Sequence, residues 1–176
     1  EDVKKVVNDA DLLFCLDYNE LSRTEEMQPV IEGSKAKRIV VDHHVGPKIP
    51  SILTVSRPAA SSTSELVFRL MSQLSGTQDI SHDAAVCVYC GMMTDTGGFT
   101  FNSTNPDIYL IISELLRKNI DKDVIYNKVF HNYSANALRF RAHIIQDKLR
   151  LVETLHASYY TVTKSEMKEY HFIKGD

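Results

Sequence analysis

The residues best suited to chemistry fall in three short stretches. Val41-Asp42-His43-His44 places two adjacent histidines directly after an apolar run and an aspartate. Each imidazole brings polar atoms that need partners when buried, so packing alone explains the pair poorly. One reading is a metal ligand beside a neighbour that contacts substrate, with the aspartate fixing the ring tautomer. The other is a pair of histidines on a surface loop. Thr94-Asp95-Thr96-Gly97-Gly98-Phe99 also reads two ways. Asp95 forms a turn whose glycines supply positive φ, or it is a carboxylate ligand whose glycines let the backbone approach closely. Asp17, after a short apolar run, is a third ligand candidate or a cap for the next element. Together the three stretches supply carboxylates and imidazole at predicted element ends, a donor mix suited to Mn²⁺ or a similar ion.

The positioning elements follow from periodicity. Leu12-Leu13-Phe14-Cys15-Leu16 and Arg38-Ile39-Val40-Val41 are compact apolar runs, each followed by an aspartate, and read as buried strands. Residues 25–33 between them are predicted helical, with Gly33 as C-cap and Pro29 as an interior disturbance. Strand, helix, strand is a parallel unit, and function in such sheets gathers at the carboxyl ends of the strands. Asp17 and Asp42 are therefore expected to face one crevice. Residues 52–55 form a third strand. Ser61-Ser62-Thr63-Ser64-Glu65 starts a helix whose apolar face includes Leu66, Leu70 and Leu74 and which Gly76 ends. Further helices are predicted over 81–93 and 107–117, with Pro106 near the first turn of the latter. Residues 134–155 read as one long helix, and 156–163 as a strand followed by a short helix. The fold class is α/β, a parallel sheet flanked by helices, followed by a long linker helix and the start of a smaller α/β domain.

The 176 residues suffice for one ordinary domain with its own core. Hydrophobic residues make up 43% and charged residues 24%, the balance of a globular chain. Lys and Arg number 20 against 23 Asp and Glu, a net charge of −3 with a pI near 6.2. That argues against gripping long nucleic acid by phosphate neutralisation, but permits a local basic cleft for a short charged substrate. No apolar run reaches the ~18–20 residues of a membrane span, and the opening residues show no signal-peptide pattern. Three cysteines cannot all pair with one another, so a reducing cytoplasm is the expected location. Cys87-Val88-Tyr89-Cys90 lacks a second pair and does not follow a strand, so both cysteines are expected as small buried helix residues. His82, His131 and His143 are expected to be ordinary surface or hydrogen-bonded residues. Phe130, Tyr133 and Phe140 are expected to pack rather than to stack on bases.

Val40-Val41-Asp42-His43-His44, with Asp95-Thr96-Gly97-Gly98-Phe99 further along and a strand ending at Asp17, resembles the DHH phosphoesterase superfamily. Within it the chain looks most like the nanoRNase and phosphoadenosine-phosphatase branch. The resemblance runs from Asp11 to the final Lys174-Gly175-Asp176. It implies a DHH catalytic domain over 1–133, a linker helix over 134–155 and the beginning of a substrate-binding domain over 156–176. It further implies two Mn²⁺ ions, with Mg²⁺ as the alternative, Asp17 as a carboxylate bridging both, and His43 and Asp95 as ligands of the second. His44 then contacts the substrate phosphate or assists the leaving group, Asp42 holds the histidines, and Arg23 is a phosphate contact. The hydroxyls of Ser61-Ser62-Thr63 match a segment of the family and are read here as helix caps.

The family's first motif, a histidine and paired aspartates, belongs upstream of Glu1, and its glycine-rich C-terminal motif belongs beyond Asp176. The chain is accordingly expected to be the middle of a longer enzyme, and the truncated chain itself to be inactive. In the complete enzyme, two divalent ions about 3.5–4 Å apart activate a water for in-line displacement at phosphorus. The substrate implied is a short oligonucleotide or a nucleotide phosphate, with no membrane partner and a homodimer allowed. Two other readings stand: a pyrophosphate or polyphosphate hydrolase, using Arg23, Arg38 and Lys48 around the crevice, and a non-catalytic domain retaining the fold.

Overall fold

The computed structural model describes residues 2–173. Lys174, Gly175 and Asp176, where the resemblance ends, lie outside the described residues. The chain divides into two compact units, Glu1–Ile125 and Tyr126–Asp176.

The first unit is built on three parallel strands, β1 (Leu12–Leu16), β2 (Lys37–Asp42) and β3 (Leu53–Ser56), in that spatial order. Leu16 pairs with Val41 and Asp42 with Ser56, so the carboxyl ends of all three strands are level. The Asp17 amide donates to the Val41 carbonyl at 3.1 Å, continuing the ladder one residue beyond β1. This brings Asp17 beside the residues that follow β2. One face of the sheet packs Cys15 and Val40 with Ile49, and the other packs Val41 with Ala60 and Leu66. β1 was expected to be buried, but Leu12, Phe14 and Leu16 are exposed. They share one face by the two-residue strand repeat, and the helix that covers this side lies over β2 and β3.

Around the sheet stand α1 (Val3–Asp9), α2 (Gln28–Gly33), α3 (Thr63–Ser75), α4 (His82–Asp95) and α5 (Pro106–Leu116). The helix predicted over 25–33 is shorter. A 3₁₀ stretch, Leu21–Met27, precedes α2 and breaks at Glu25, whose φ of 49° is not helical. Pro29 thus lies in the first turn of α2, where its missing N–H is harmless, and Ser34 rather than Gly33 is the C-cap. α3 starts at Thr63 on the Ser62 cap and ends on Gly76, whose φ of 85° suits glycine. α4 and α5 bury Met92, Met93, Ile108 and Leu115 almost completely. Each such side chain contributes about 1.5–3 kcal/mol of transfer free energy. The two helical cysteines do not join this core: Cys87 is exposed and Cys90 half-buried, while Cys15 on β1 is the buried one. The buried face of α4 is formed by Ala85, Val88, Tyr89, Met92 and Met93, leaving both cysteines outside it.

α6 (Lys122–Phe130) leads into the second unit, which continues with α7 (Ala135–His143). The helix predicted over 134–155 ends early. A π turn, Ile144–Lys148, follows α7, and Leu149 then turns extended. β4 (Arg150–Val152) pairs antiparallel with β5 (Ala157–Tyr159), a strand shorter than the predicted 156–163. Leu149 and Leu151 fit a two-residue repeat as well as Leu149 and Val152 fit a helical one, so spacing alone could not decide. His156, at φ 47°, closes the reversal. α8 (Lys164–Glu169) opens with a capping box between Thr163 and Glu166. Of the aromatics expected to pack, Phe140 is buried and Phe130 half-buried, whereas Tyr133 is exposed under the Arg141 guanidinium at 3.8 Å.

Candidate metal centre

Each chemical side chain arrives at the crevice on a strand or helix end. Asp17 leaves β1 in the left-handed region, φ 68°, which aspartate tolerates better than most residues. This turn presents its half-exposed carboxylate beside the end of β2. His43 and His44 follow β2 directly, and their rings meet edge to face at 4.8 Å. Asp95 is the last residue of α4. Behind it the buried Thr96 hydroxyl donates to the Met92 carbonyl at 2.7 Å and accepts from the Phe99 amide at 3.0 Å. Gly97 and Gly98 turn the chain at φ 56° and 72°. The threonine and glycines therefore fix the turn, and the aspartate is left to face the crevice.

The geometry brings Asp17, His43 and His44 together and sets Asp95 beside His43. His43 Nε2 lies 3.3 Å from Asp95 Oδ2 and 3.7 Å from Asp17 Oδ1. His44 Nδ1 lies 3.9 Å from the same Asp17 oxygen. One donor atom each from Asp17, His43 and His44 falls within a 4.8 Å group. Around a cation with ligands at about 2.1 Å, neighbouring ligand atoms sit about 3.0–3.4 Å apart. The His43–Asp95 spacing falls in that range and the His43–Asp17 and His44–Asp17 spacings are 0.3–0.5 Å wider, so the carboxylate and imidazole atoms form a group that could hold a divalent ion.

The tautomers are set from behind. His43 Nδ1 lies 3.4 Å from the Ala60 carbonyl, to which it can only donate, so Nε2 keeps its lone pair for the crevice. His44 Nδ1 bonds Asp42 Oδ1 at 2.7 Å, and Asp42 is fully buried. Asp42 was expected to hold both histidines. It holds His44, and the main chain at Ala60 takes the role for His43. The second Asp42 oxygen has no hydrogen-bond partner among the described residues. Arg23 lies on the 3₁₀ stretch, exposed, and its side chain makes no hydrogen bond or ion pair among the described residues.

Two contributors escaped the sequence reading, and a third, Thr63, was read only as a helix cap. Thr63 donates from Oγ1 to Asp17 Oδ1 at 2.8 Å. The Ala60 carbonyl carries no side-chain signal at all. Gly91 faces Ser64 across the α3–α4 contact, where an added Cβ would lie 2.0 Å from Ser64 Oγ and 2.9 Å from its Cβ. A glycine inside a helical pattern was the available clue to that close approach. Gly91→Ala is expected to push α4 from α3, lowering stability by about 1–3 kcal/mol and displacing Asp95 from His43. Urea unfolding and Mn²⁺ titration of the variant check both effects.

A cleft of about 200 Å³ opens beside Asp17 and Asp95, lined also by Ser62, Thr63, Gly91 and Thr94. A larger cleft of about 490 Å³ lies by Arg57, Arg69 and Asn105. Arg69 there is paired with Glu65 and Asp107, and the cleft carries no comparable ligand set.

The carboxylates and imidazoles thus gather at the carboxyl edge of a parallel α/β sheet, in a group that could hold a metal ion. The chain belongs to the DHH family, whose N-terminal domain matches residues 1–92. It is 44% identical to an exopolyphosphatase-related protein from Bacteroides fragilis, whose crystal structure superposes with a TM-score of 0.93 over 98% of this chain and 50% of that one. A membrane protein–large ribosomal subunit bL9 fusion protein of onion yellows phytoplasma is 29% identical over 146 residues, 73% of this chain and 17% of that protein. The probable bifunctional oligoribonuclease and PAP phosphatase NrnA of Streptococcus mutans is 35% identical over 85 residues, 47% of this chain and 26% of that protein. The chain therefore spans half or less of the length of these relatives. No helix among the described residues is long and apolar enough to cross a membrane.

Proposed function

We propose that this chain carries the metal-holding part of a phosphoesterase acting on short oligonucleotides or nucleotide phosphates, with Mn²⁺ as its ion and Mg²⁺ as the alternative. The observation that carries the reading is the group of possible ligands formed by Asp17, His43 and His44, with Asp95 Oδ2 placed 3.3 Å from His43 Nε2 beside it. Bound ions supply charge to phosphate oxygens and lower the pKa of water for in-line attack. The chain's own residues supply the rest. Asp17 and Asp95 would offer carboxylate oxygens to the ion, and His43 would offer Nε2, its ring held by the Ala60 carbonyl. His44, with Nδ1 committed to Asp42, keeps Nε2 for a phosphate oxygen or a leaving group. The buried Asp42 carboxylate fixes the orientation of the His44 ring through this bond.

A polyphosphate hydrolase is the second reading, supported by the Bacteroides fragilis relative. That substrate calls for several uncommitted cations around the crevice. Lys48 is instead paired with Glu20 at 3.0 Å, and Arg38 donates to the carbonyls of Ile31, Glu32 and Ser34. Of the three cations considered, Arg23 alone makes no such bond among the described residues, which favours the nucleotide reading. The test is hydrolysis, by a full-length protein that contains this chain and with Mn²⁺ added, of a 5′-phosphorylated dinucleotide, an adenosine bisphosphate and tripolyphosphate. Release of mononucleotide or of nucleotide-linked phosphate is the expected result. Hydrolysis of tripolyphosphate alone would overturn the reading.

A further inference from the structure

The turn that starts α3 touches the metal centre twice. The Ala60 carbonyl accepts from His43, and three residues on, the Thr63 hydroxyl donates to Asp17 Oδ1 at 2.8 Å. Thr63 is not the cap of its helix. The cap is Ser62, whose Oγ accepts from the Glu65 amide at 3.1 Å. The Thr63 hydroxyl is therefore not needed to satisfy the α3 terminus, although the side chain is almost completely buried. Its backbone is held on both sides. Glu65 Oε2 reaches back to the Ser61 amide and hydroxyl, both at 2.8 Å, and Arg69 holds the other oxygen. The donor that meets Asp17 is thus mounted on a rigid, hydrogen-bonded turn. Asp17 itself sits on a strained left-handed backbone with a half-exposed side chain, and Thr63 is the partner that fixes its carboxylate.

We propose that Thr63 is a positioning residue of the metal centre, aiming Asp17 Oδ1 at the ion through its hydroxyl; the inference rests on the metal-binding reading of Asp17. The oxygen it holds is the one nearest His43 Nε2 and His44 Nδ1. A neutral donor is the right chemistry for this task. It takes up one lone pair and orients the carboxylate, yet leaves the full negative charge for the cation. Losing such a partner of a ligating carboxylate weakens metal affinity about ten- to a hundredfold. Because Asp17 is half-exposed, water replaces the lost bond when the metal is absent, so the apo protein keeps its stability.

The experiment is calorimetric Mn²⁺ titration of the protein and of Thr63→Val, Thr63→Ser and Asp17→Ala, with thermal unfolding of each apo form. Thr63→Val keeps the branched shape without the hydroxyl, and Thr63→Ser keeps the hydroxyl without the methyl. The expected result is a ten- to hundredfold weaker affinity in Thr63→Val, affinity restored in Thr63→Ser, and an unchanged apo melting temperature in Thr63→Val. Unweakened binding in Thr63→Val, beside weakened binding in Asp17→Ala, would overturn the role of Thr63 alone. Equal losses in Thr63→Val and Thr63→Ser would show that shape rather than the hydroxyl matters, and would overturn it too. Unweakened binding in Asp17→Ala, or none in the unsubstituted protein, would instead overturn the reading of Asp17 as a ligand.

Discussion

Substituting His43→Ala is expected to weaken Mn²⁺ binding by more than about a hundredfold while the fold is retained. The lower bound comes from residues that merely support ligands, whose loss already weakens metal affinity about ten- to a hundredfold. His43 stands at the centre of the set, its Nε2 within 3.3 Å of Asp95 and 3.7 Å of Asp17. Without that nitrogen the two carboxylates lose their common neighbour. Stability should change little for a specific reason. The Ala60 carbonyl that accepts from His43 also accepts from Asn102 Nδ2 at 3.3 Å, so it is not orphaned. One modest hydrogen bond is lost, worth about 1 kcal/mol. Calorimetric titration and urea unfolding of the same preparation separate the two effects. Unchanged affinity in the variant would place the metal elsewhere.

The same residue shows how far a sequence can be read and where reading stops. Asp17, His43 and Asp95 were legible because strand ends and helix ends are visible in residue type and period, and chemistry gathers there. Their partners were legible only when they were side chains next in sequence, as Asp42 is to His44. The partner of His43 is a main-chain carbonyl, and a main-chain group has no letter of its own. Thr63 was visible as a hydroxyl, but a hydroxyl before an apolar helix reads as a cap, and only the fold shows that Ser62 takes that role. Element boundaries failed for a related reason. Leu149 satisfies both a helical and a strand repeat, and the antiparallel partner that decides, Ala157–Tyr159, comes later in the chain.

Glu65→Gln is expected to lower stability at neutral pH by about 2–4 kcal/mol and, unlike His43→Ala, to disturb the centre from a distance. The Glu65 side chain is only 4% exposed, and both its oxygens are filled. One accepts from the Ser61 amide and hydroxyl and the other from Arg69. An amide in that place turns one acceptor into a donor, facing either the Ser61 amide or the Arg69 guanidinium. Breaking a buried charged pair of this kind costs about 3–5 kcal/mol. The partial exposure of Arg69 and the acceptor that glutamine retains bring the expectation to the lower range. The pH dependence carries a sign that can be checked. Burial raises the Glu65 carboxyl, but the Ser61 donors and Arg69 outweigh it, and its pKa lies below the ordinary 4.5. Its contribution is therefore complete above the unfolded-state value and is lost as pH falls through the folded one. Unfolding free energies of protein and variant should then differ most near neutrality and converge in acid. A difference independent of pH would mean that the loss is one of packing rather than of charge. Because Glu65 pins the turn that carries Ala60 and Thr63, the variant should also bind Mn²⁺ more weakly. Undiminished binding in a destabilised variant would show that the centre is held by the strand ends alone.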